Sequence, residues 1–337
     1  MIKKIVLFVA CCLLMLSCSV KNSDTSSCQV EISDFEDTPC DFASMASKVD
    51  TFFLYQAATD MPVSAISHAC LTDSVLYVAD VANALFAFDI HSGKNIGVVH
   101  NMGQSSHEYT EITAIAGAGD TICVLDKNTR KVVKYDSKFN YLSTVKLSFM
   151  PMDFAVTEDG FLFSRLDAAD GNSRFVCTDR NGKETGSCVA STPLGEQIAT
   201  TRSFTANNAD IYLHEPNSND IYSWSKGQAT LAYKLSFPSY DGKTSGTVPV
   251  VRDFFVTSQS LICSFLFGEK MCYSICTKDG KNVKAGYFDL NSGRPFSPIA
   301  QKADALIGVY HSADLTALKN WKAKENNSTL TVLIYHF

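Results

Sequence analysis

The sequence predicts an all-β fold in which one four-stranded unit recurs along the chain, and three observations indicate this. Residues 73–99 (DSVLYVADVANALFAFDIHSGKNIGVV) match residues 120–145 (DTICVLDKNTRKVVKYDSKFNYLSTV) nearly element for element. Short runs rich in β-branched and aromatic residues alternate with turns of Gly, Asn and Asp, which is typical of antiparallel strands. The units start about 41 to 50 residues apart. Four strands in such a period are the signature of propeller blades.

Aspartates mark the strand ends of the repeat. Asp80 and Asp126 end the second strand of the first two units, and Asp89 and Asp136 close the third strand. An aspartate in this position can accept backbone N–H groups in an Asx-type turn. We therefore expect these carboxylates to shape turns rather than to carry chemistry.

The number of units follows from a second repeated feature upstream of the second strand. Met152–Phe154, Arg202–Phe204 and Arg252–Phe254 each predict the start of an innermost strand, and the unit starts fall near residues 66, 112, 153, 203, 252 and 299. The predicted fold is a six-bladed β-propeller with four antiparallel strands per blade. Because the ring must close, we expect residues 52–55 to pair with the final strand, residues 331–335, of the last blade.

The N-terminus is typical of an export signal. Lys3 and Lys4 precede an apolar run from Ile5 to Leu16. These twelve residues would cover roughly 18 Å as a helix, well short of the ~30 Å hydrocarbon layer. The run therefore predicts a cleaved signal peptide over residues 1–17 rather than a membrane span.

The end of this signal, LMLSC, resembles the lipobox of bacterial lipoproteins, in which a small residue precedes the cysteine that is lipidated. Ser17 occupies the small position and Cys18 that of the lipidated residue. An ordinary signal peptide with a chance cysteine is the alternative. Lipidation implies a chain anchored in the cell envelope, and Ser19 after the cysteine favours the outer membrane. Residues 18–49, rich in Ser, Asp and Thr, predict a flexible tether, with the propeller domain over residues 50–337.

The cysteines, the net charge and the absence of known motifs limit which disulfides, partners and catalytic sites the sequence predicts. Nine cysteines follow Cys18, and export permits disulfides, for which Cys28–Cys40 and Cys177–Cys188 are the candidate spacings. The net charge of −6, without a long basic run, excludes nucleic acid as an expected partner. The chain has no G-x-S-x-G, H-E-x-x-H, P-loop or G-x-G-x-x-G motif, so we predict no catalytic residue, metal or cofactor from motifs.

The order of the motifs is similar to that of the six-bladed propeller lipoproteins of bacterial envelopes, which are related to the NHL and TolB-type propellers. The resemblance rests on LYVAD…FAFD…GK, on CVLD…VKYD and on GQSSHEYTEI at residues 103–112. The last segment resembles the family's glycine-rich linker between its first two blades, of which Gly103, Glu108 and Tyr109 are kept. The resemblance implies the fold and an envelope location more than an activity.

Candidate binding residues lie where innermost strands begin, because those loops rim the central funnel of a propeller. They are His68, Asp153, Arg202, Arg252 and Asp253, with Glu108 on an adjoining loop. If Arg202 and Arg252 converge, they could clamp a carboxylate, a sulfate or a uronic acid through bidentate hydrogen bonds. The alternative is that these charges pair between neighbouring blades and stabilise the ring.

The function predicted from the sequence is a lipid-anchored binding or scaffold protein of the cell envelope. It would present its funnel to a glycan, a peptide or a protein partner and contact the membrane through the lipid on Cys18. The alternative is a propeller hydrolase or lyase, lactonase-like, with a metal on the axis.

Overall fold

The computed structural model describes residues 27–57, 60–166, 172–190, 202–207, 210–216, 218–240, 249–288, 295–316 and 328–337. Within these ranges the chain is almost entirely β-structure, arranged as six sheets that follow one another along the sequence. No helix of the described residues is both long enough and apolar enough to cross a membrane.

Among the residues that the structure describes, three strands precede the first blade, and the six blades then follow in chain order. The leading strands are β1 (Cys28–Glu31), β2 (Pro39–Cys40) and β3 (Lys48–Leu54). Blade 1 has β4 (Ile66–Leu71), β5 (Val75–Asp80), β6 (Leu85–Asp89) and β7 (Asn95–Val99); blade 2 has β8 (Ala114–Ala118), β9 (Thr121–Asp126), β10 (Lys131–Asp136) and β11 (Tyr141–Lys146). Blade 3 has β12 (Pro151–Val156), β13 (Gly160–Arg165), β14 (Ser173–Asp179) and β15 (Glu184–Ala190); blade 4 has β16 (Phe204–Asn207), β17 (Asp210–His214), β18 (Asp220–Ser225) and β19 (Gln228–Ser236). Blade 5 has β20 (Val250–Val256), β21 (Ser260–Phe267), β22 (Lys270–Thr277) and β23 (Lys284–Phe288), and blade 6 has β24 (Ala300–Lys302), β25 (Ala305–His311) and β26 (Leu330–His336) with β3 as its fourth strand.

Within the described ranges, helical structure is confined to short pieces. Single 3₁₀ turns cover Phe42–Met45 and Pro238–Tyr240, and a short α-helix, α1 (Ser312–Thr316), follows β25. The predicted fold, six blades of four antiparallel strands, is confirmed, and every innermost strand begins within two residues of its predicted start.

Ring closure also follows the prediction. Strand β3 pairs antiparallel with β26, with Phe52 opposite Val332 and Phe53 opposite Thr331. The pairing is longer than expected and runs back to Lys48, whereas Tyr55 lies beyond the strand and forms a bridge with Lys94 of blade 1. One segment thus joins the last blade to the first, so neither blade is left with an open interface.

The tether was expected to extend to residue 49, and this was wrong for residues 27–49, which form strands and contacts with the propeller. Strand β1 adds in parallel to the outer edge of β19 in blade 4, and β2 adds in parallel to β23 in blade 5. Phe35, between them, is 1% exposed and packs at ring-centroid distances of 5.0 Å from Phe265 and 5.9 Å from Phe237. We call residues 27–47 the strap. The segment lacks periodicity because isolated anchors, rather than an amphipathic stripe, hold it to the blades. The predicted signal peptide and the predicted lipidation site, Cys18, lie outside the described residues.

The repeated aspartates form turns as predicted. Asp89 accepts from the backbone N–H of Ser92 at 2.7 Å, and Asp136 accepts from that of Lys138 at 2.8 Å and that of Asn140 at 2.9 Å. Each of these contacts closes the turn between the third and fourth strands of its blade. The carboxylates are therefore part of the blade scaffold.

Neither candidate cysteine spacing forms a disulfide, since all nine cysteines of the described residues are free thiols. Cys28 lies on β1 against blade 4, whereas Cys40 lies on β2 against blade 5. Cys123 and Cys263 are buried on second strands, where a free cysteine packs as a small apolar side chain.

Candidate functional site

The funnel face is the face of the ring on which the innermost strands begin. Three of these strands carry a one-residue irregularity at their start: the register shifts between Ile66 and His68, between Pro151 and Asp153, and between Val251 and Asp253. Bulges of this kind re-aim the side chains that follow them. As a result His68, Asp153 and Asp253, which are sequence-predicted site residues, come directly after a bulge in blades 1, 3 and 5.

A cavity of about 220 Å³, here called the axial cavity, opens among the loops of this face. Residues from blades 1 and 5 and from the segments leading into blades 4 and 6 line it. They are Ser67, His68, Arg202, Asp253, Phe255, Ile262, Ser264, Met271, Tyr273, Ser297, Pro298 and Ile299. Three of the six predicted residues, His68, Arg202 and Asp253, therefore meet at one site.

Arg202 is the cation of the axial cavity. Its Nη2 donates to the carbonyl oxygen of Ile299, and its guanidinium carbon lies 5.1 Å from the centre of the Phe255 ring. Its Nε is 4.0 Å from Oδ1 of Asp253, too far for a hydrogen bond. No hydrogen bond joins Nη1 to any residue that the structure describes, and the side chain is 26% exposed. Arg202 also lines the upper end of the central channel, next to Ala300 and Gln301.

Asp253 is held by the neighbouring strand. Oγ of Ser264 lies 3.3 Å from Oδ2 of Asp253, and the backbone N–H of Asp253 donates to the same Oγ at 3.2 Å. The carboxylate is 28% exposed, so a ligand in the cavity can reach it. The axial cavity thus presents one cation and one anion side by side.

His68 carries no charge at neutral pH. Burial, and next the nearby Arg202 guanidinium, lower its pKa from 6.5 to about 4. Its Nδ1 lies 3.1 Å from Oγ of Ser67. The imidazole is therefore a neutral hydrogen-bonding group beside a guanidinium.

Asp153 does not line the axial cavity. Its Oδ2 accepts the backbone N–H of Ser203 at 2.8 Å, and its Oδ1 accepts that of Phe154 at 2.8 Å. Burial raises the pKa of this carboxyl from 3.8 to about 6, against these hydrogen bonds and the charge of Arg202. Because Ser203 follows Arg202 directly, Asp153 ties blade 3 to the backbone that carries Arg202. The contacts of Asp153 are therefore those of a residue that stabilises the ring, and not those of a ligand-binding residue.

The structure does not bring Arg252 or Glu108 into the axial cavity. Arg252 is the extra residue of the blade 5 bulge, and it is its carbonyl oxygen that meets Arg202, accepting the backbone N–H at 3.4 Å. Two converging guanidinium groups are therefore not found at the cavity. Glu108 accepts the backbone N–H of Ser105 at 2.8 Å, which holds its pKa below the usual value. Its loop joins blades 1 and 2, where buried Tyr109 donates to the carbonyl of Val99 at 3.0 Å.

Most of the cavity wall escaped the sequence analysis. Phe255, Ile262, Met271, Pro298 and Ile299, here called the apolar wall, come from strands of blade 5 and from the segment before blade 6. The hydroxyl-bearing residues Ser264, Tyr273 and Ser297 stand beside them. Apolar residues at these positions are what any blade core requires, so their sequence held no signal that they would face a cavity.

The residues on the axis do not fit a metal centre. Among the described residues, no group of three or more His, Cys, Asp or Glu side chains is placed to hold an ion. The channel below Arg202 is lined instead by small or apolar residues such as Ala69, Ile115 and Ala155. The described residues therefore provide no ligands for the axial metal of the alternative hypothesis, a lactonase-like hydrolase or lyase.

The fold and the cavity define the chain as a six-bladed β-propeller with a small polar site on its funnel face. Residues 62–335 match a family described as a domain of unknown function, DUF4934. Because the match covers most of the chain, the protein belongs to this family. No curated protein matches the sequence.

Solved structures show how widely the fold is shared. A Bacteroides fragilis protein inferred to be exported aligns with a TM-score of 0.69 and 14% identity, over 92% of this chain and 99% of that one. A member of the DUF4221 family from Bacteroides vulgatus gives a TM-score of 0.51 and 8% identity, covering 87% and 96%. A streptogramin B lyase gives 0.50 and 13% identity, covering 86% and 98%. At these identities the likeness concerns the fold alone.

Proposed function

We propose that this protein is a lipid-anchored binding protein of the cell envelope, and that the axial cavity receives the anionic group of a glycan, a peptide or a protein partner. The placement of Arg202 carries the proposal. The Arg202 guanidinium donates through Nη2 to the carbonyl of Ile299 and stacks on Phe255, while its Nη1 bonds to no residue that the structure describes. It is therefore preorganised to meet a carboxylate. Its position at the axial cavity also gives the ligand direct access from the funnel face.

Binding is tested with a panel of carboxylates. We expect at least one of acetate, galacturonic acid and N-acetyl-L-leucine to raise the melting temperature of the detergent-solubilised full-length protein. The shift should disappear in Arg202→Met and persist in Arg252→Met, which removes the neighbouring arginine outside the cavity. A panel without any shift, or a shift unchanged in Arg202→Met, would contradict the proposal.

Anchoring is tested separately through Cys18. The signal that ends in LMLSC supports lipidation of this residue. We expect Cys18→Ala to lose incorporation of labelled palmitate and to leave the membrane fraction. The matched control is Cys28→Ala, which removes the next cysteine along the chain and should leave both properties unchanged. Membrane fractionation of Cys18→Ala at the wild-type level would overturn this part of the proposal.

A second candidate, a hydrolase or lyase without an axial metal, is favoured by one observation. His68 is a neutral imidazole at the axial cavity and could accept a proton from a ligand bound near Arg202. Mass spectrometry of the ligand after incubation separates the two candidates. An unchanged ligand supports binding, whereas cleavage or elimination that His68→Gln abolishes would support the enzyme.

A further inference from the structure

We propose that the axial cavity binds the C-terminal residue of a peptide, one with an apolar side chain, rather than an acidic sugar. The inference rests on the proposed function, because Arg202 receives the carboxylate in both. What it adds is the chemical class of the ligand. Three features of the cavity carry it: the neighbouring opposite charges, the apolar wall and the small volume.

The neighbouring charges of Arg202 and Asp253 favour a ligand that accepts hydrogen bonds from Arg202 and donates one to Asp253. A carboxylate bound to Arg202 would lie beside Asp253, whose Oδ1 is 4.0 Å from Nε of Arg202. Such a ligand must offer Asp253 a hydrogen-bond donor, because two carboxylates in contact repel each other. The C-terminal residue of a peptide meets both demands, since its carboxylate and its amide N–H sit on the same Cα atom. His68, being neutral, adds no second positive charge that would favour a dianion.

The apolar wall separates a peptide from a sugar. Five apolar residues line the cavity: Met271 and Ile299 are half-buried, and Phe255, Ile262 and Pro298 are buried. A sugar ring carries a hydroxyl on almost every carbon, and hydroxyls pressed against such a wall would lose their hydrogen bonds to water without replacement. An alkyl side chain instead gains free energy by leaving water there.

The volume limits the ligand to one residue. Sites for drug-sized molecules enclose roughly 300–1,000 Å³, and the axial cavity encloses about 220 Å³. A single apolar residue fits this space, while the preceding residues of a peptide would run outward over the funnel face. Capture of a C-terminal carboxylate is a known mode of peptide recognition, in which backbone N–H groups hold the carboxylate. In the axial cavity Arg202 would take that part.

The ligand class is tested by calorimetry on the solubilised full-length protein with four probes. N-acetyl-L-leucine represents a peptide C-terminus, N-acetyl-L-leucinamide lacks only its charge, L-leucine is the free amino acid, and galacturonic acid is the acidic sugar. We expect N-acetyl-L-leucine to bind at least tenfold more tightly than the amide and the sugar, because a charge-assisted hydrogen bond and the apolar contacts are then both made. Tighter binding of free L-leucine than of N-acetyl-L-leucine would assign the site to amino acids and overturn the peptide assignment.

Two matched pairs of variants locate the binding. Arg202→Met should weaken N-acetyl-L-leucine at least tenfold, and Arg252→Met should not. Met271→Gln, which makes the wall polar at nearly constant volume, should weaken it severalfold. Leu266→Gln is its control, because Leu266 is paired with Met271 across the β21–β22 hairpin, is 38% exposed and lies outside the cavity.

The outcomes distinguish this inference from the proposed function. If galacturonic acid binds through Arg202 as tightly as N-acetyl-L-leucine or more tightly, the carboxylate site stands and the peptide assignment falls. If the binding of no probe depends on Arg202, both the proposed carboxylate site and the peptide assignment are refuted. Equal losses in Met271→Gln and Leu266→Gln would show that the apolar wall does not contact the ligand, which also overturns the inference.

Discussion

At the scale of single residues, the site depends on where one extra residue is inserted. Arg202 and Arg252 occupy equivalent places in the repeat, yet only Arg202 reaches the axial cavity. The bulge at the start of β20 makes Arg252 the extra residue and turns Asp253 towards the cavity. The site therefore contains a cation beside an anion, instead of the two converging cations that the sequence analysis considered.

His68 predicts a measurable pH dependence of stability. Its pKa of about 4 in the folded state lies below the 6.5 of the unfolded chain, so the unfolded state binds more protons between these values. Stability should therefore fall as the pH drops from about 6.5 towards 4, by roughly 2–3 kcal/mol for this group alone. In His68→Gln this part of the decrease in the free energy of unfolding should be absent. Urea unfolding at a series of pH values measures it.

The control for this experiment is His91→Gln. His91 lies exposed in the turn after β6, and its replacement should leave the wild-type curve unchanged. Parallel stability curves for the wild type and His68→Gln would show that the His68 imidazole titrates alike in both states. The lowered pKa, and with it the neutral imidazole at the cavity, would then be refuted.

At the scale of elements, each blade is a meander whose turns are set by side chains and glycines. In blade 3, Asp179 closes the turn between β14 and β15 by accepting the backbone N–H of Asn181 at 2.8 Å. The start of β13 lies very close to the end of β14: a Cβ atom at Gly160 would stand 2.1 Å from the carbonyl oxygen of Thr178. The close approach of these two strands therefore requires glycine.

Gly160→Ala should destabilise the protein because the added methyl group forces β13 and β14 apart. We expect a loss of about 1–3 kcal/mol in the free energy of unfolding, the usual cost of overpacking. Gly186→Ala is the matched control in the same blade, since a Cβ there meets nothing within 4 Å, and its effect should stay within about 0.5 kcal/mol. Equal effects in denaturant titrations would contradict the close approach of the two strands.

At the scale of the whole molecule, the segment before blade 1 holds the ring from outside. It adds β1 to blade 4, β2 to blade 5 and β3 to blade 6. The edges of blades 4 and 5, which would otherwise present unpaired backbone groups, are thereby covered. If Cys18 carries a lipid as proposed, residues 19–27 lie between it and β1.

Phe35→Ala tests whether the strap is part of the fold. Phe35 is enclosed by four aromatic rings whose centroids lie 5.0 to 5.9 Å away. Its truncation should cost about 3–5 kcal/mol in urea unfolding and speed proteolysis of residues 27–47, because a large cavity is left behind. Gln29→Ala, which changes an exposed side chain on β1, should do neither. A wild-type unfolding midpoint for Phe35→Ala would restore the interpretation of this segment as a tether.

Much of this architecture could be read from the sequence because it is repeated. The aspartates at the strand ends, the apolar second strands and the period of the units recur often enough to predict six blades and the closing strand. The strap occurs once, without periodicity, so nothing in its composition distinguished it from a tether. The same holds for the apolar wall, whose residues would serve equally well in a blade core.

The residues of the chain thus determined the number of blades, the closure of the ring and the set of polar side chains near the funnel, since each follows from a local pattern or its recurrence. The folded ring decided which of those side chains meet. In the folded ring, His68, Arg202 and Asp253 meet at the axial cavity. Asp153 instead lies at the junction of blades 3 and 4. Arg252 and Glu108 lie outside the cavity. These outcomes depend on bulges one residue long and on contacts between segments 50 to 190 residues apart, and no local pattern encodes such distances.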